Sequence, residues 1–139
     1  MIPLSHQHHN GLALCVLTDR ALAADGGEES VKRLAQRVVD RYEIELINHF
    51  ELEEQFLFPL CPGPLADELI GEHRELERMV QGLAAAPTAE RLTEFCELLR
   101  RHIRREESEY FQQVQEKVPR EQLDAAGAEI DRKAVRVCL

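Results

Sequence analysis

Residues 45–59 read ELINHFELEEQFLFP, and the reading of this stretch decides the fold. One face of a helix drawn through it carries Val38, Tyr42, Leu46, His49, Glu53, Phe56 and Leu60. The steps are three or four residues each, the repeat of an amphipathic helix. The stripe is apolar at both ends and holds a histidine and a carboxylate in between. Burying such groups without partners costs several kcal/mol. A partner inside the core is therefore expected. Residues i and i+4 lie about one turn, roughly 6 Å, apart on one face. His49 and Glu53 can thus reach the same small ion.

The spacing recurs in two other segments. His102 and Glu106 lie in RRHIRREESEYF, on the stripe Leu92, Phe95, Leu99, His102, Glu106, Tyr110 and Val114. His73 and Glu77 lie in GEHRELERMV, between Leu69 and Val80. Recurrence on separate buried stripes points to one shared metal centre better than any single pair does.

Working outward, Leu, Ala, Glu and Arg dominate the chain, and there is no tryptophan. These are strong helix formers, so the fold class is all-α. A first helix is predicted over residues 5–24, with Ser5 as N-cap, Pro3 barring an earlier start, and His9, Leu12, Val16 and Ala23 facing inward. Asp25-Gly26-Gly27 ends it through glycines in left-handed conformations. The second helix spans residues 28–58 and stops at Pro59 and Cys61-Pro62-Gly63-Pro64. The third spans 65–85 and the fourth 89–117, with Thr88 as N-cap. Residues 120–135 form a short fifth helix. Four long helices with short connections predict an up-down-up-down antiparallel four-helix bundle. Residues 1–139 are read as one domain, with its core at about 5–117 and a C-terminal extension over 118–139.

The net charge of -9 speaks against nucleic acid and anionic membrane as partners. No run reaches the roughly 20 apolar residues that span a bilayer. The four cysteines, Cys15, Cys61, Cys96 and Cys138, form no C-x-x-C pair, which argues against a thiolate zinc site. No secretion signal is visible, and a cytoplasmic location with reduced thiols is expected. Cys138 is next to last, so the terminus is not a prenylation motif.

In an antiparallel bundle, His9, His49, His73 and His102 fall at a similar height. His8 is the alternative to His9 on the first helix. The ligand set is then His9, His49, Glu53, His73, Glu77, His102 and Glu106. It holds too many nitrogen and oxygen ligands for one tetrahedral zinc and suits two carboxylate-bridged octahedral ions. Imidazole and carboxylate without sulfur favour iron or manganese. Glu53 and Glu106, each one turn after a histidine, are read as the bridges, completed by an oxo or hydroxo group. Glu45, one turn before His49, is a weaker candidate, and Tyr110 is read as core.

With these residues in hand, the chain resembles the hemerythrin-like, or HHE cation-binding, domains. The resemblance rests on QHHNGLAL, HFELEEQFLFP, EHRELE and HIRREESEYF, and covers residues 5 to 117. It implies a four-helix bundle with a non-haem di-iron centre. It also implies that His9, His49, His73 and His102 are iron ligands and that Glu53 and Glu106 are bridging carboxylates. Oxygen-carrying members have His-x-x-x-His on the third helix and His followed five residues later by Asp on the last. Here Glu77 stands at the second position of the former, and Glu106 follows His102 at four. A third carboxylate would favour ferric iron and lower the reduction potential. The expectation is a binding protein that senses, scavenges or stores oxygen, nitric oxide, peroxide or iron, rather than a reversible oxygen carrier. Two iron ions are the expected cofactor, with manganese or zinc as alternatives. The expected partner is a small diatomic or peroxide ligand, and the expected state a monomer or homodimer. Competing readings are a di-metal oxidase or peroxidase, and a metal-free phosphotransfer bundle using His6 or His8.

Overall fold

The computed structural model describes residues 2–135, and among them every regular element is helical. Helix α1 is Ile2–Ala24. The second long segment is α2 (Glu28–Arg41), a π-helical turn over Tyr42–Leu46, α3 (Ile47–Leu52), a second π-helical turn over Glu53–Leu57 and a 3-10 turn over Phe58–Leu60. Helix α4 is Pro64–Ala85. The next segment is α5 (Ala89–Arg105), a third π-helical turn over Glu106–Tyr110 and α6 (Phe111–Lys117), followed by α7 (Arg120–Lys133). Cys138 lies outside the described residues. No helix among the described residues is long and apolar enough to cross a membrane.

The segment ends follow local chemistry. Helix α1 starts at Ile2, so Ser5 lies inside it and Pro3 in its first turn. Proline suits a first turn because the N–H it lacks would have no helical partner there. At the α1–α2 junction Gly27 is extended, with φ -70° and ψ 162°, and its N–H donates to Asp25 Oδ1 at 2.9 Å. The aspartate closes this turn, and neither glycine adopts the left-handed conformation expected from the sequence. The glycine whose conformation matters is Gly63, at φ 151° before Pro64. Thr88 caps α5 by accepting from the Arg91 N–H at 3.1 Å. Thr88→Ala should therefore cost about 1 kcal/mol, read as a lower midpoint in urea with an unchanged slope.

Helix α1 packs on α5 and α2, and α4 packs on α5 and α2. Helix α7 lies against α1 and the turn at Glu53–Leu57. The core is divided in two. One apolar cluster includes Leu14, Leu46, Phe50, Leu76, Leu99 and Ile103. The other includes Leu4, Leu57, Leu69, Tyr110, Val114 and Ile130. Each long segment passes from one cluster to the other, and each carries a buried histidine at the crossing: His8, His49, His73 or His102. Apolar packing on both sides therefore fixes the height of a polar layer.

The π-helical turns explain a change of phase. Two of the three begin at Glu53 and Glu106. A π turn inserts an extra residue and rotates the buried face. After Glu53 the buried residues are Leu57 and Phe58, while Phe56 and Leu60 are only half-buried.

Candidate metal centre

Six side chains meet in the polar layer: His8, His49, Glu53, His73, His102 and Glu106. All are 2% exposed or less. They fall into two groups whose ligand atoms lie within 4.8 Å of one another, His8/His49/Glu53/Glu106 and Glu53/His73/His102/Glu106. Glu53 and Glu106 belong to both. His49 Nε2 is 3.3 Å and His73 Nε2 3.1 Å from Glu53 Oε1. His102 Nε2 is 2.5 Å from Glu106 Oε1, and His8 Nε2 is 3.6 Å from Glu106 Oε2.

A second set of residues decides what these atoms are. His49 Nδ1 meets Gln7 Oε1 at 3.0 Å, and His73 Nδ1 meets Glu54 Oε2 at 2.8 Å. His102 Nδ1 meets Glu72 Oε1 at 2.8 Å, and His8 Nδ1 meets Glu107 Oε1 at 3.1 Å. Carboxylate and amide oxygens only accept, so each Nδ1 carries the proton and donates. A neutral imidazole so held presents a lone pair at Nε2. Four such nitrogens and two carboxylates then face one another with no donor among them. His73 Nε2 and His102 Nε2 are only 3.1 Å apart. His8 Nε2, His49 Nε2 and all four oxygens of Glu53 and Glu106 are buried without a hydrogen bond. Orphaned buried acceptors of this density call for cations, and mixed imidazole and carboxylate donors fit a transition-metal ion.

At His49, His102 and Glu53 the protonation equilibria agree, and His73 is the exception. Burial pushes His49 and His102 down, toward the neutral form that binds metal. Burial also pushes the Glu53 carboxyl up, but the facing His49 and His73 outweigh it and hold it well below the usual carboxylate range. His73 is pushed down by burial and, more strongly, up by its bonds to Glu53 and Glu54. A proton on His73 is a partial substitute for a cation there, and it leaves the other orphaned acceptors unserved.

The outer partners form a closed ring. Gln7 on α1 holds His49, Glu54 in the next segment holds His73 on α4, Glu72 on α4 holds His102, and Glu107 returns to His8 on α1. Each outer residue is the sequence neighbour of an inner one: 7 beside 8, 54 beside 53, 72 beside 73, 107 beside 106. Neighbours on a helix point about 100° apart, so one aims into the core while the other aims along the seam with the next helix. Such partners fix the tautomer and raise ligand basicity. The sequence reading missed this ring. The adjacency of the acidic residues Glu53-Glu54 and Glu106-Glu107 was the available signal.

Two residues of the expected set lie elsewhere. His9 is exposed, and His8 occupies the first-helix position. The hydropathy of α1 misleads because its inward face mixes Leu4 and Leu14 with Gln7, His8, Asn10, Gly11 and Thr18, while Val16 and Leu17 are 43% and 48% exposed. Gly11 lets α1 approach α5 closely: a Cβ there would stand 3.1 Å from Ile103 Cδ1. Glu77 is exposed as well, because Leu76 takes the buried phase between His73 and Val80. The extra carboxylate, and the lowered potential drawn from it, therefore drop out. Glu45 is buried but accepts from Asn10 Nδ2 at 2.9 Å and joins neither group. Tyr110 is core, donating to the Cys61 carbonyl at 3.0 Å.

Aromatic rings wall the layer. Phe50 stacks on His73 with centroids 4.0 Å apart, and Phe111 stacks on His8 at 5.8 Å. Among known families, the one described as Hemerythrin HHE cation binding domain matches residues 3–114. Neither a curated protein nor a solved structure matches the chain significantly.

Proposed function

Because the chain belongs to the hemerythrin family of HHE cation-binding domains, we propose that its polar layer holds two iron ions and that the protein senses, scavenges or stores oxygen, nitric oxide, peroxide or iron. The observation that carries this reading is the convergence of four imidazole lone pairs and two carboxylates with no donor among them. His8 and His49 would hold one ion, His73 and His102 the other, and Glu53 and Glu106 would bridge. Bound iron would supply redox chemistry and affinity for small anionic or diatomic ligands. Each six-coordinate ion would then take four protein ligands and leave two positions for a solvent-derived bridge and an outside ligand. Manganese and zinc are the alternative metals.

The chain's own groups prepare the site for such ligands. The outer ring keeps each Nε2 aimed inward, and Phe50, Phe58 and Phe111 limit water around it. The up-down-up-down four-helix order is part of the same proposal. It is supported by partners that run in opposite order along neighbouring segments, as Gln7 with His49 against Asn10 with Glu45. Helix α7 completes the domain as an extension. Buried, free Cys15, Cys61 and Cys96 suit the reducing cytoplasm, where we place the protein as a monomer or homodimer.

With Glu77 outside the site, the preference for a role in responding to ligands over reversible oxygen carriage rests on the missing second histidine of the third helix, whose place in the His73/His102 group no described residue fills. That position is left open to outside ligands. The same openness supports a second reading, a di-metal oxidase or peroxidase. The test is the metal content and visible spectrum of protein from iron-supplemented cells, before and after azide. Two irons per chain and an azide-sensitive charge-transfer band are expected. One ion or none would defeat the di-iron reading, and a stable, reversible oxy form would defeat the preference against carriage. Sustained turnover with peroxide would move the enzyme reading to the front.

A further inference from the structure

The outer ring has one member unlike the rest. His73, His102 and His8 each donate to a carboxylate, whereas His49 donates to the neutral amide of Gln7. The difference has a visible cause. Gln7 Nε2 also donates to the Val135 carbonyl at 3.1 Å and to Asn48 Oδ1 at 3.0 Å. A glutamate has no N–H to give and would repel both oxygens. Asn48 completes the attachment, donating to the Lys133 carbonyl at 3.1 Å and accepting from the Val135 N–H at 2.8 Å. Lys133 Nζ sits 4.9 Å from the centre of the Phe56 ring. The end of α7 is thus tied to the residue that orients His49.

Burial separates the two groups further. Glu54 and Glu72, which serve the His73/His102 group, have side chains 23% and 15% exposed. Glu107, which serves His8, is 47% exposed. Water around Glu107 weakens its polarisation of the His8 N–H, and so the basicity it lends to Nε2. Arg74 and Arg105 share Glu54 and Glu72; solvent screens the 52% exposed Arg74, whereas Arg105, 29% exposed, offsets part of the Glu72 charge.

Resting on the di-metal reading above, we propose that the two positions are inequivalent. The position of His73 and His102 fills first and holds tightly. The position of His8 and His49 fills second and exchanges, with Gln7 and Asn48 coupling it to α7. Gln7 is a positioning residue, acting through His49 rather than on the ion.

The experiment is a stepwise Mn(II) titration of the metal-free full chain, followed by calorimetry and by the electron paramagnetic resonance of the free ion. Two steps at least about tenfold apart are expected. Gln7→Leu should weaken the second step about 10–100-fold and leave the first in place. Gln7→Glu should tighten the second step, while amide exchange at the end of α7 accelerates because the latch is lost. Asn48→Ala should weaken the second step only. Glu72→Gln should instead weaken the first, bringing the steps together. Equal steps in the unaltered protein would overturn the proposal. So would a common loss in both steps for Gln7→Leu and Gln7→Glu, the result expected of a residue that only packs. Absence of any uptake of iron or Mn(II) would overturn the di-metal reading instead.

Discussion

If the layer holds two ions as proposed, replacing Glu53 by alanine should remove both at once, whereas replacing His49 should remove one. Glu53 and Glu106 each belong to both groups of ligand atoms, and every histidine belongs to a single group. Loss of a bridge therefore strips one ligand from each ion and brings the two cations closer to bare repulsion. Loss of an imidazole leaves the other position with its full set. The drop in affinity at an affected position should be on the order of 100-fold or more, since even an outer partner is worth 10–100-fold. Glu53→Gln and Glu106→Gln preserve volume and separate loss of metal from loss of fold. His8→Ala should behave like His49→Ala, and His9→Ala and Glu77→Ala should keep the full complement. Metal analysis of the dialysed variants, with circular dichroism to verify folding, checks the series. Loss of metal in His9→Ala with retention in His8→Ala would overturn the assignment of the first-helix ligand.

That contrast between His8 and His9 marks where the sequence stops being legible. The stripe Leu92, Phe95, Leu99, His102, Glu106, Tyr110 and Val114 is buried throughout, because hydrophobic periodicity on α5 and α6 is strong and continuous. The same reading finds His49, Glu53 and His73, whose neighbours along the stripe are apolar. Periodicity fails on α1, where Leu4 and Leu14 share the inward face with polar or small residues and two large apolar residues face solvent. It fails again at Glu77, where two phases, 73-76-80 and 73-77-80, fit a helix equally well. Packing chooses Leu76, which is fully buried. The π-helical turns are invisible to a fixed repeat, and they move the buried face after Glu53 from Phe56 to Leu57. The outer ring was out of reach for another reason: its members act between segments, and their geometry depends on how the helices are brought together.

Removing the metal should lower the melting temperature by about 20 °C. An ion held at about 1,000 times its dissociation constant stabilises the folded chain by roughly 4 kcal/mol. A second ion held about tenfold more weakly adds roughly 3 kcal/mol, and for a domain of this size each kcal/mol moves the midpoint by roughly 3 °C. The structure gives this linkage a physical basis. Without cations, six buried side chains crowd their lone pairs together, and each unsatisfied group costs about 1–3 kcal/mol. A proton on His73, shared with Glu53 at 3.1 Å, relieves only part of that cost. The apo protein should therefore keep its helices but open first around the polar layer. The apolar clusters on either side give those outer parts of the bundle an independent source of stability. Calorimetric melts before and after chelation, with hydrogen exchange across residues 49–57 and 102–110, would read both effects. Exchange should accelerate there before it does at Leu34 or Leu83, which sit in the cluster away from α7. A metal-free chain that melted within a few degrees of the loaded one, with even protection throughout, would mean that the layer is stable on its own and that metal is not what completes this core.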